Sequence, residues 1–124
     1  MRETEGEPTS LAVEATPSLD LIFDILSNRH RREVLYHLND RPDGVATVDE
    51  LTDTVAAREH ESGRADRDAD EERNLIRTEL QHVHLPKLED AGIVEHDRRS
   101  ETVRYWTQPS LEEWLEHAQH KERS

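Results

Sequence analysis

Cysteine is absent from the 124 residues, which excludes disulfides, thiolate metal sites and cysteine nucleophiles together. Glycine is scarce: Gly6, Gly44, Gly63 and Gly92 stand far apart and form no phosphate-cradling loop. No His-Glu-x-x-His or Gly-x-Ser-x-Gly run occurs either, so the chain is expected to be no enzyme and to need no cofactor. Lysine is nearly missing, with Lys87 and Lys121 alone among 16 basic residues. The start, Met1 to Glu7, lacks a basic, apolar leader. No run approaches the ~18 apolar residues of a membrane span. A cytoplasmic protein with no membrane partner is expected.

Acid, in contrast, is abundant. The chain carries 29 Asp and Glu against 16 Lys and Arg, for a formal charge of -13. At molar salt the screening length falls to roughly 3 Å, where such a charge repels itself little while its carboxylates keep the surface hydrated. A halophilic cytoplasm also accounts for the preference for Arg over Lys. Charged residues (36%) outnumber hydrophobic ones (32%), which approaches a disordered composition. The apolar residues nevertheless cluster at helical spacing between Leu19 and Leu115, which predicts one folded core.

Residues 1–17 hold Gly6, Pro8, Pro17 and four Glu without periodicity, the pattern of a disordered acidic tail. Ser18 caps a predicted short helix with Leu19, Ile22, Phe23 and Leu26 on its buried face. Asn28 caps a second helix reaching about Asn39, with Val34, Leu35 and Leu38 inward and Arg29, Arg32 and Glu33 outward. Arg41 to Gly44 reads as a turn. Thr47 and Glu50 match a capping box that opens a third helix, ending by about Glu59 and burying Val48, Leu51 and Val55.

An exposed connection from His60 to Glu72 leads to the longest predicted helix, about Ala69 to Ala91. It buries Ile76, Leu80, Val83 and Leu88, breaks near Pro86, which removes the bond to the His82 carbonyl, and stops at Gly92. Strands at Ile93–His96 and Thr102–Thr107 then form a hairpin with its tip at residues 97–101. Pro109 and Ser110 open a last helix with Leu111, Trp114, Leu115 and Ala118 on one face. The expected fold is mainly α with a small β-hairpin, a winged helix-turn-helix over residues 18–107, followed by a C-terminal helix and tail at 108–124.

Four stretches carry a resemblance: Leu26 to Arg32, Thr47 to Leu51, the block from His84 through Gly92 to Glu95, and Val103 to Tyr105. Over roughly residues 19–107 the chain resembles the haloarchaeal winged-helix domain family, which is similar to arsenic-repressor-type transcription regulators. The resemblance implies binding of double-stranded DNA and regulation of transcription. The cysteines of the metal-sensing repressors are missing, so their metal sensing does not carry over.

A groove-reading helix needs long polar side chains on one outer face. Arg73, Arg77, Gln81 and His84 have that spacing, with Asn74, Thr78 and Lys87 placed to reach phosphates and with Arg98, Arg99 and Arg104 on the hairpin. Residues 73–107 hold six basic and six acidic groups, so the remaining 10 basic and 23 acidic residues carry the whole -13. The segment spared from acidity is the one a winged helix would lay on DNA. DNA reading further requires Arg77 and Gln81 to be free of their own chain. On an ordinary solvated helix face, Arg73 and Arg77 would merely pair with Asp70 and neighbouring glutamates. The alternative function is a winged-helix protein-interaction module without DNA binding, whose acidic flanks would fit a basic partner. A homodimer is expected, because two half-sites need two reading helices and the face of Leu111, Trp114 and Leu115 is available. Glu113, His117 and His120 share a helix face with zinc-ligating spacing, whereas His82 and His84 point apart. Histidines on an exposed tail are commonly only solvated, and no metal is assigned.

Overall fold

The computed structural model describes residues 17–63 and 68–123. Residues 1–16 of the expected tail and part of the 60–72 connection lie outside the described residues. Helix α1 is Leu19–Leu26, α2 is Arg29–Asp40, strand β1 is Val45–Thr47 and α3 is Val48–Glu61. Helix α4, Ala69–Glu79, continues through a π-helical turn at Leu80–His84 into α5, Leu85–Asp90. Strands β2 (Val94–Asp97) and β3 (Thr102–Tyr105) and helix α6 (Pro109–Arg123) complete a helix-rich fold with a small antiparallel sheet.

The helix starts follow from their caps. Ser18 Oγ accepts the Leu21 N–H at 3.1 Å, Asn28 Oδ1 accepts that of Arg31 at 3.1 Å, and Thr47 Oγ1 accepts that of Glu50 at 3.0 Å, each satisfying a donor with no partner inside its helix. The Glu50 carboxylate binds His37 (2.8 Å) and Arg41 (2.9 Å). The bond from His37, with Arg41 beside it, holds that carboxyl below the usual range.

The sheet has the order β1-β3-β2, with Val45 opposite Arg104 and Val94 opposite Tyr105. Strand β1 is an element the sequence reading did not anticipate. It spans only three residues, and its partner lies almost sixty positions downstream, so no local alternation announces it. Gly44 makes the approach possible. Its φ is +66°, and a Cβ there would lie 3.3 Å from the Tyr105 carbonyl oxygen, while its own carbonyl accepts the Tyr105 N–H at 2.8 Å. Gly44→Ala is therefore expected to destabilise the domain by about 1–2 kcal/mol, read as a lower urea midpoint with the slope unchanged.

Val34, Leu35, Leu38, Val48, Leu51, Val55, Ile76, Leu80 and Leu88 are buried in one core, as their helical spacing predicts. Three expectations are corrected. In α1, Ile22 and Ile25 are buried while Leu19 and Phe23 are exposed, because the helix turns its Ile edge to the core. In α2, Glu33 is buried rather than outward, since Arg58 of α3 and Arg123 of α6 close over it at 3.4 and 3.0 Å. Val83 is 52% exposed, for a reason set by the π turn.

The helix break expected at Pro86 begins upstream of it. The Leu85 N–H bonds to the Leu80 carbonyl, five residues back. A π turn inserts one residue into the helical phase, and it accommodates a ring that would otherwise press on the preceding turn. The buried stripe consequently passes from Ile76 and Leu80 to His84 and Leu85 and skips Val83.

Helix α6 packs on its own domain. Leu111 and Leu115 are fully buried in the core, so the face proposed for a twin chain is largely used within the chain. Trp114 stays partly exposed and meets Phe23 edge-on with ring centroids 5.1 Å apart. Glu122 fastens the end of α6 to α2 through Arg29 (3.2 Å), Arg32 (2.9 Å) and the Tyr36 hydroxyl (2.7 Å). Burial alone would raise the Glu122 carboxyl, but these bonds and charges hold it below the usual range.

Candidate nucleic-acid interface

Helix α4 is capped by Asp68, whose carboxylate accepts the N–H groups of Asp70 (2.9 Å) and Glu71 (3.2 Å). Asp70, Glu71 and Glu72 fill its first turn, where carboxylates complement the positive end of the helix dipole. The end of the helix that a major groove would receive is therefore strongly acidic.

Arg73, Arg77 and Gln81 do share one edge of the helix, and that edge faces carboxylates of the same chain. Arg73 Nε donates to Asp53 Oδ1 at 2.7 Å, and a further terminal nitrogen lies 3.6 Å from Asp49. The Asp53 bond raises the Arg73 guanidinium above its ordinary value. Arg77 pairs with Asp49 through Nη1 and with Glu101 through Nη2 at 3.3 Å. Gln81 Nε2 donates to Glu101 Oε1 at 2.8 Å. Glu101 is well held: its backbone has φ 56°, and its carbonyl accepts the Val48 N–H at 2.9 Å. The hairpin tip, the start of α3 and the edge of α4 thus meet at one glutamate.

The requirement that Arg77 and Gln81 stand free of their own chain is not met. The arginines pair as on an ordinary solvated helix face, but across elements with Asp49, Asp53 and Glu101 rather than along the helix with Asp70. Nothing in the local sequence of α4 signals those partners, because they are 20 to 28 residues away.

The remaining expected site residues divide. His84 leaves the reading edge altogether, because the π turn rotates it inward. It is buried against Arg31, whose Nη1 lies 3.3 Å from His84 Nδ1. Burial, with Arg31 and His30 nearby, pushes its imidazole down to about 4. Lys87 is tied to Asp24 at 2.6 Å and Arg98 to Glu89 at 3.0 Å. Asn74 and Thr78 are exposed, the Thr78 hydroxyl donating to the Asn74 carbonyl at 2.9 Å. Arg99 is exposed at the hairpin tip, and Arg104 lies over Trp106, 5.7 Å from the ring centroid. The solvent stripe of α4 and the π turn, formed by Glu71, Asn74, Leu75, Thr78 and His82, contains no Arg or Lys.

Glu113, His117 and His120 line a shallow surface beside Trp114. Among the described residues, the donors that do converge are His30, Glu79 and His84, a grouping the sequence reading missed because it joins α2 to the far end of α4. No described helix is long and apolar enough to cross a membrane.

Fold and surface together define a helix-rich domain with a three-stranded antiparallel sheet and an acid-lined helix-hairpin face. Residues 23–104 match a family described as a domain of unknown function (DUF7344), and the chain belongs to that family. No curated protein and no solved structure matches the chain.

Proposed function

We propose that the chain is a winged-helix protein-interaction module of a halophilic cytoplasm, whose α4-hairpin face receives a basic surface of another protein. Helices α2, α3 and α4 stand for the helix-turn-helix and β2–β3 for the wing. The observation that carries this reading is the saturation of Arg73, Arg77 and Gln81 by Asp49, Asp53 and Glu101. Exposed pairs of this kind are individually worth about 0–1 kcal/mol, so their strength is not what opposes DNA. The obstacle is what they leave behind. If the arginines turned to bases, Asp49 and Asp53, whose side chains are 67% and 65% exposed, would face phosphates together with the acidic first turn of α4. At molar salt little counterion release is available to offset that conflict.

A second reading, sequence-specific DNA binding by a transcription regulator, is favoured by the hairpin. Arg99 and Arg104 are exposed there without a carboxylate partner among the described residues, inside the segment 73–107, whose six basic and six acidic groups leave no net charge. A photo-crosslinking residue placed at Thr78 separates the two in cells. Protein interaction predicts adducts destroyed by protease and untouched by nuclease. It also predicts that the purified chain shifts no promoter duplex above random DNA in molar KCl. Specific duplex binding lost in the folded double variant Arg73→Ala, Arg77→Ala would overturn the interaction reading.

A further inference from the structure

A histidine-carboxylate cluster lies on the opposite side of α4 from its arginine edge. His30 near the start of α2, Glu79 at the end of α4 and His84 at the end of the π turn each offer one donor atom, and these atoms lie within 4.8 Å of one another. Three donors around a tetrahedral ion with bonds of about 2.1 Å stand roughly 3.4 Å apart, a contraction within reach of side-chain torsions. The three residues line a surface cavity of about 310 Å³ with Asn28, Arg29 and Val83, which provides an entry path and room for a fourth, water ligand.

The orientation of His30 makes this more than a chance gathering of acid in an acidic chain. Glu59, itself buried, accepts from His30 Nε2 at 2.6 Å, which turns Nδ1 toward Glu79 at 3.5 Å. A carboxylate behind a ligating imidazole fixes its tautomer and raises its basicity. We propose that His30, Glu79 and His84 form a site for a zinc-type divalent cation, with Glu59 orienting His30 from behind.

Two imidazoles and one carboxylate suit zinc-like ions better than magnesium or calcium, which take oxygen sets. The ring proton must also be accounted for. Arg31 donates to His84 Nδ1, so the neutral ring carries its hydrogen on Nε2. Ligation through Nε2 moves that proton to Nδ1 and breaks the Arg31 contact. Arg31 keeps its bonds to the Ile25 carbonyl (3.0 Å) and the Asp24 carbonyl (2.9 Å). The cation would thus pin the π turn, where helical irregularity commonly accompanies a functional site.

The test is titration of the purified, chelator-treated full chain with Co(II) in molar KCl, followed by visible absorption, with Zn(II) as competitor. One equivalent of Co(II) should give the intense bands of a four-coordinate site, and Zn(II) should abolish them. Glu59→Gln should weaken binding about 10–100-fold, and His30→Ala and Glu79→Gln at least as much, while His117→Ala, His120→Ala leaves binding unchanged. If His30→Ala unfolds, Glu79→Gln, on a half-exposed carboxylate, carries the test. Absence of binding, or binding indifferent to Glu79→Gln, overturns the proposal.

Discussion

Leu115→Ala is expected to destabilise the domain by about 2–5 kcal/mol, and Leu111→Ala by a similar amount, because each empties a fully buried leucine site. Trp114→Ala, at a partly exposed ring packed edge-on against Phe23, should cost distinctly less. Urea unfolding at molar KCl, read together with solution mass, checks the pattern. Were Leu111 and Leu115 the contact between two copies, the variants would change the mass at low concentration while the monomer kept its midpoint. Packing of α6 on its own core predicts the reverse: a lower midpoint at every protein concentration.

The double variant Arg58→Ala, Arg123→Ala should lose about 3–5 kcal/mol. Glu33 is buried, and both of its cationic partners approach the same oxygen, Arg58 from α3 and Arg123 from α6. Removing them leaves a carboxylate in the interior with no opposing charge. Arg123 also lies over the Tyr36 ring, 4.8 Å from its centroid, so some apolar contact goes with it. Adding Glu33→Gln to the double variant should restore much of the loss, because no charge is then left buried. A triple variant as unstable as the double would refute the electrostatic account and assign the loss to packing.

These residues also show why Glu33 was misplaced by helical spacing alone. A glutamate on a helix surface is ordinarily solvated, and nothing within α2 reveals that two arginines from other elements descend on it. The same holds for Arg31, whose buried guanidinium finds two backbone carbonyls at the end of α1. Burial lowers its pKa, but its bonds offset the desolvation. Periodicity ranks residues by average hydrophobicity and has no means of recognising a charged group satisfied from outside its own helix.

The candidate interface was legible in part for a related reason. The spacing of Arg73, Arg77 and Gln81 correctly placed them on one edge, because that is a property of a single helix. What the edge confronts is a property of three segments. The start of α3 brings Asp49 and Asp53, and the hairpin brings Glu101. A DNA-reading face and a self-neutralised face have the same helical spacing and differ only in those neighbours.

By itself the sequence determined the helix starts at Ser18, Asn28 and Thr47, the leucine and valine stripes of α2 and α3, the stop at Gly92 and the hairpin that follows. Each depends on hydrogen bonds or apolar spacing within a few residues. Tertiary structure alone decided the pairing of β1, the phase shift that turns Val83 out and His84 in, the partners of the arginine edge and the meeting of His30, Glu79 and His84. Those features arise when segments distant in the chain are brought within a few ångströms. Their energies come from desolvation and charge at that distance, quantities that no local pattern encodes.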